Sequence, residues 1–228
     1  MIIVECWYII VDIITDILMI GGNVMSIVQA YITKNFVVVG GDKRAMTTNK
    51  EIASENFKKI VRINKNIIIG MTGSITGNYV LFSEFINADL SLKNNNYDEI
   101  TYKNMIEKIT KSYYDNNNYL QKESIHSLIC GWNGEKFLAT TYFTKDKDVK
   151  LNKPIEVYPQ DEDSVKVINC GENQHYLDVL ELKNKMPCTN ILQFKNLFKD
   201  VLHIGITYDN TINECADFET IKLKDVII

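Results

Sequence analysis

Between Ile27 and Gly73, short β-branched runs alternate with Asn, Gly and Lys, a rhythm that predicts strands joined by tight turns. Ile27, Val28, Ala30 and Ile32 form a first run, turned at Lys34-Asn35, and Phe36 to Val39 leads into Gly40-Gly41 and the charged triplet Asp42-Lys43-Arg44. The plan then repeats. Ile60 to Ile63 turns at Asn64-Lys65-Asn66, and Ile67-Ile68-Ile69 runs into Gly70-Met71-Thr72-Gly73. A polar connection lies between Met46 and Asn56.

The period then changes. Val80, Leu81, Phe82, Phe85, Ile86 and Leu90 recur at helical spacing over Thr76 to Leu92. A second helix is predicted from Asp98, its N-cap, to Tyr114, burying Ile100, Met105, Ile106 and Ile109. Strands resume from Ser124 to Trp132, turn at Asn133-Gly134 in a type I′ hairpin, and return from Lys136 to Phe143. Residues 144–164 read as loop or short edge strand, and Val165 to Cys170 as a strand. Helical pattern covers Asn173 to Leu182 and Asn190 to Tyr208, and a last strand runs from Phe218 to Leu223. Strands, a helix pair, strands and helices again give an α+β chain in layers.

Composition narrows the classes. With 228 residues, 46% hydrophobic and 24% charged, the chain suits one folded domain with a sizeable core. Its net charge of −4, with lysines scattered, argues against nucleic acid as a partner. Five cysteines without paired spacing suggest reduced thiols in the cytoplasm, and Cys170 and Cys215 read as small core residues. His126, His175 and His203 have no Cys or acid partner at metal spacing, and no glycine-rich phosphate loop is present, so no metal or cofactor is expected.

The chemistry concentrates in the first block. Ser26 follows a methionine, and a serine with a free α-amino group carries nucleophile and general base in one residue. Such a site needs a cation beside the hydroxyl and a carboxylate to hold it, which Lys59 and Asp42 supply near strand ends. It also needs a backbone N–H for the oxyanion, and Gly73 allows close approach. Taken singly, each has an ordinary explanation: a small residue after a start methionine, a solvated turn, an exposed lysine, a turn glycine. The joint spacing favours the active constellation.

The stretches SIVQAYITKNFVVVGGDKRA, FKKIVRINKNIIIGMTGS and TGNYVLFSEF resemble the N-terminal half of proteasome β-subunits and bacterial ring proteases, the N-terminal-nucleophile hydrolases. The resemblance implies a four-layer αββα sandwich of two antiparallel sheets flanked by helices. It assigns the nucleophile to Ser26, the acid to Asp42, the lysine to Lys59 and the oxyanion glycine to Gly73, with Asp209 as a supporting acid. It further implies a peptide or protein substrate, a homo-oligomer such as a ring, an ATPase unfoldase as a partner, and no membrane. Three features depart from the family pattern. Ser26 stands where most members carry threonine. Gly171-Glu172 replaces a Gly-Ser pair, leaving Glu172, Asn173 or no residue to support the lysine. Ile212 occupies the serine position of a D-x-x-S motif after Asp209. Peptidase chemistry, acyl transfer to an amine as in connectase-like proteins, and a non-catalytic ring subunit all fit this pattern. Retention of Asp42, Lys59 and Gly73 disfavours the last.

Residues 1–25 stand apart from the domain expected over 26–228. They are apolar, yet Glu5, Asp12 and Asp16 without a basic residue argue against a signal peptide and make a membrane span costly. They read either as a propeptide removed before Ser26 or, the favoured expectation, as residues never translated, because Ile20-Gly21-Gly22 can be encoded by a ribosome-binding AGGAGG just upstream of the Met25 codon.

Overall fold

The computed structural model describes residues 26–47, 49, 51–73, 82–83, 96–116, 124–145, 148–151, 153–161, 164–170 and 190–226. The segment 1–25, most of the helix expected over 76–92, and the helix expected over 173–182 with Gly171, Glu172 and Asn173 lie outside these residues.

Two antiparallel sheets are stacked face to face. The first holds β1 (Val28–Thr33), β2 (Phe36–Asp42), β11 (Val165–Cys170) and β12 (Ala216–Lys222) in the order β11-β1-β2-β12. The second holds β5 (Ile60–Asn64), β6 (Ile67–Gly73), β7 (Ile125–Trp132), β8 (Phe137–Lys145) and β10 (Ile155–Val157) in the order β10-β8-β7-β6-β5. Strand β9 (Asp148–Leu151) also pairs with β8. The described helices are α1 (Glu99–Asn116), α2 (Ile191–Tyr208) and the single turn α3 (Leu223–Val226).

Strand alternation sorts the apolar residues into three cores. Val28, Ala30 and Ile32 of β1 and Val37 and Val39 of β2 point inward, against Ile68, Leu128 and Cys130 of the other sheet. Their neighbours Tyr31, Phe36 and Val38 point outward onto Phe194, Phe198 and Val201 of α2. On the far side, Ile67, Ile69 and Ile129 meet Tyr102 and Ile106 of α1. The order helix, sheet, sheet, helix is the expected αββα sandwich. Both faces of β1, β2 and β6 are covered, and every residue of the three strands is buried. Gly70 marks the closest approach of the sheets: a Cβ there would lie 2.5 Å from Val28 Cγ1.

Helix α2 starts with a capping box, in which the Asn190 side chain accepts from Gln193 N at 3.0 Å while the Gln193 side chain accepts from Asn190 N at 3.2 Å. Asp98 caps α1 as expected, accepting from Thr101 N at 3.3 Å and from the Thr101 hydroxyl.

Local differences from the sequence reading have physical causes. Ile100 is 70% exposed because Tyr102 and Ile106, one turn apart, set the buried face of α1 and Ile100 lies behind it. Tyr97 joins that core instead, its ring stacked on Tyr102 at 5.5 Å between centroids. The β7–β8 connection is four residues long, not two: Trp132 pairs with Phe137, Asn133 Oδ1 accepts from Glu135 N and Lys136 N, and the positive φ of 102° falls on Gly134. The polar connection after Met46 contains a small ribbon, β3 (Ala45–Met46) with β4 (Ile52–Ser54). Cys170 is buried, whereas Cys215 is exposed. No described helix is long and apolar enough to cross a membrane.

Candidate active site

Strands β1 and β2 are adjacent, and their pairing carries Ser26 and Asp42 to the same end of the first sheet. Val28 faces Gly41, and one step further Asp42 N donates to Ile27 O at 3.1 Å. The Asp42 side chain continues the ladder, with Oδ1 accepting from Ile27 N at 2.9 Å. Its other oxygen accepts from Arg44 N at 3.1 Å and from Lys59 Nζ at 2.7 Å. Lys59 reaches it from the opposite sheet, immediately before β5. The pair therefore bridges the two sheets, with both side chains buried.

The environment acts on both partners in the same sense. Burial pushes the Lys59 ammonium below its ordinary value, opposed by the attraction of Asp42 and its hydrogen bond. Burial pushes the Asp42 carboxyl up, opposed by Lys59 and by the Ile27 and Arg44 amides. An ion pair in this setting is held against its own desolvation, and such perturbed groups concentrate at reactive sites.

Ser26 is buried at 7% exposure, and its Oγ has no hydrogen-bond partner among the described residues. A buried hydroxyl without a partner gives up its water for nothing, at about 1–3 kcal/mol, so such groups are rare outside sites with work to do. No bond joins Ser26 Oγ to Lys59. The two are connected through one residue of backbone and the Asp42 carboxylate.

Gly73 ends β6 with φ +91°, a conformation that favours glycine, and a Cβ there would lie 2.3 Å from Ser124 O. Met71 N donates to Lys59 O at 2.9 Å. In an extended strand the N–H two residues on points the same way, so Gly73 N–H faces the β5 side of β6 beyond the residue where β5 begins. Gly73 N–H thus points to the side of the sheet from which Lys59 comes.

Asp209 caps the end of α2 and is buried at 8% exposure, with Oδ1 accepting from Thr211 N at 2.8 Å and Thr211 Oγ1 at 2.7 Å. Its charge is the smallest of the influences on Lys59 and favours the protonated form. Ile212 is fully buried against α2, so the position after Asp209 where the family pattern has a serine is purely apolar.

Two groups went unnoticed in the sequence. Thr72 Oγ1 lies 3.7 Å from Cys170 Sγ between the sheets; burial takes the Cys170 thiol up to about 12 against that hydrogen bond, which keeps it protonated and inert. Asn213 is buried and joins Lys43 and Glu55, and Glu55 in turn holds Arg44. Neither signal is periodic or part of a spacing motif. No cluster of three His, Cys, Asp or Glu suited to a metal occurs among the described residues; His203 pairs with Glu214 at the surface, His126 lies against the Phe143 ring, and His175 lies outside the described residues.

The family model described as "Proteasome subunit" matches residues 26–143, just over half of the chain. Among solved structures, the crystal structure of eukaryotic HslV from Trypanosoma brucei is similar with a TM-score of 0.56 at 16% identity, covering 86% of this chain and 99% of that one. No curated protein matches.

Proposed function

Because the chain belongs to the proteasome subunit family, we propose that it is a peptidase or amidohydrolase working through Ser26 once the residues before it are absent. The observation that carries this reading is the buried, unpartnered Ser26 hydroxyl beside the peptide N–H that the Asp42 carboxylate holds. In the reaction, Ser26 Oγ attacks the substrate carbonyl while its own α-amine takes the hydroxyl proton. Lys59, held by Asp42, keeps a positive charge near the hydroxyl, and Asp209 favours that charge from further away. The Gly73 N–H donates to the oxyanion. Collapse breaks the amide bond, and the leaving amine departs with the proton from the Ser26 ammonium. Water then attacks the ester, frees the acid and regenerates the hydroxyl. If an amine attacks in place of water, the same ester yields a connectase-like transfer product, which product analysis separates from hydrolysis.

The mature chain then begins at Ser26, whether by cleavage or by initiation at Met25, and the N-terminal mass of protein from its native host checks this. Ser26→Ala should abolish turnover and labelling by a peptide epoxyketone or β-lactone while leaving the fold intact. Ser26→Thr should retain both. An equal adduct on the Ser26→Ala chain, or an adduct on Cys170, refutes the assignment. By family likeness the protein works in the cytoplasm as a homo-oligomer, a ring that encloses the cleft, with an ATPase unfoldase as a partner. A monodisperse monomer at micromolar concentration, by light scattering, removes that part.

A further inference from the structure

Asn213 lies four residues beyond Asp209, outside any helix or strand, yet it is buried at 6% exposure with both ends of its amide engaged. Its Oδ1 accepts from Lys43 N at 3.0 Å, in the turn that follows Asp42. Its Nδ2 donates to Glu55 O at 3.1 Å and to Glu55 Oε2 at 2.7 Å. Glu55 also receives Arg44, whose Nε reaches both carboxylate oxygens at 3.1 Å and whose Nη2 reaches Oε1 at 2.9 Å. The remaining arm of Arg44 donates to Asn210 O at 2.5 Å. Phe57 N closes the circuit on Lys43 O at 2.8 Å.

One side chain thus ties together the turn after β2, the segment leading to Lys59 and the chain leaving α2. The turn it fixes presents Arg44 N to Asp42 Oδ2, the oxygen that also accepts from Lys59. We infer that Asn213 is a positioning residue for the Asp42–Lys59 pair, acting through the Lys43–Arg44 turn. Its effect on activity rests on the proposed Ser26 reading; its effect on Lys59 does not.

The direction follows from the bonds. Freeing the turn weakens the Arg44 N–H bond to the carboxylate, and this bond favours the anion. A less stable anion holds the ammonium less well, so Lys59 loses its proton at a lower pH. The charged groups acting on Lys59 among the described residues are Asp42, Arg44 and Asp209, and Asn213→Ala removes none of them.

The test titrates the Lys59 side chain by NMR in the full chain, with lysine labelled at Cε and the signal assigned by its loss in Lys59→Arg. Asn213→Ala should move the Lys59 midpoint to lower pH. Asn213→Asp keeps the acceptor for Lys43 N and adds a negative charge, which favours the ammonium, so its midpoint should not fall below that of the wild type. In turnover, kcat of the Asn213→Ala chain should fall about tenfold with KM changed less than about twofold, and the alkaline limb of the pH profile should move down. A Lys59 midpoint unmoved in Asn213→Ala overturns the inference. So does an equal fall in Asn213→Asp, since general loosening of the fold would behave that way. A moved midpoint in a chain that never labels at Ser26 upholds the positioning and refutes the peptidase reading instead.

Discussion

Replacing Lys59 by methionine removes one half of a buried pair and leaves the other in place. Asp42 would remain fully buried, still accepting from Ile27 N and Arg44 N but with no counter-charge bonded to it. Breaking a buried pair from one side costs roughly 3–5 kcal/mol, and the two surviving amide bonds favour the lower end, about 3 kcal/mol. For a chain of this length that corresponds to a fall in Tm of about 6–12 °C. The pH dependence makes the test specific. In the native protein, burial already holds the Asp42 carboxyl above its ordinary value of 3.8 against the pull of Lys59, and losing that pull drives it higher. A carboxyl whose folded value exceeds its unfolded value contributes stability that is intact below the unfolded value and is lost as pH rises through the folded one. The deficit of Lys59→Met against the native chain should therefore be small near pH 4–5 and full at neutral pH, the reverse of ordinary acid denaturation. Thermal melts followed by circular dichroism from pH 4.5 to 8 measure it. Adding Asp42→Asn removes the titrating group, so the deficit of the double variant should be flat across that range. A deficit for Lys59→Met that is constant with pH, or that grows on acidification, would refute the argument.

Two further variants probe the frame around the site. Gly73→Ala forces a Cβ toward Ser124 O at 2.3 Å in a backbone conformation that side chains avoid; it should cost at least about 1–3 kcal/mol and abolish Ser26 labelling, read by melts and intact mass. Asn190→Ala removes the capping box of α2 and should cost about 1 kcal/mol without changing the labelling rate, because the cap lies at the helix end opposite Asp209.

Legibility in the sequence followed the range of the interactions. The β1–β2 and β5–β6 hairpins were readable because their turns and apolar runs are local, and the first two strands are covered on both faces. The Asp42–Lys59 contact was expected from their places near strand ends and from the family resemblance; spacing alone does not give it, because the two come from opposite sheets. The Asn213 contacts were not, since a buried amide with partners at residues 43 and 55 leaves no periodic mark 158–170 residues away. Ile100 was misjudged because periodicity offers several faces to a helix, and the tyrosine at 102 chose among them through packing with Tyr97. The Asn133-Gly134 signal predicted a bend correctly, but the Asn133 side chain captured two amides and lengthened the loop.

The order of strands in the first sheet also governs timing. Ser26, Asp42, Lys59 and Gly73 all leave the ribosome within the first third of the chain. Strands β1 and β2, however, are flanked by β11 and β12, which are made last. Until Val165–Cys170 and Ala216–Lys222 arrive, the sheet that carries Ser26 and Asp42 has two open edges and no α2 above it. The Asn213 anchor arrives in the same late segment. A nascent chain thus holds Ser26, Asp42, Lys59 and Gly73 long before it holds the strands that flank them, so the reaction proposed for Ser26 would wait until the last strand is seated.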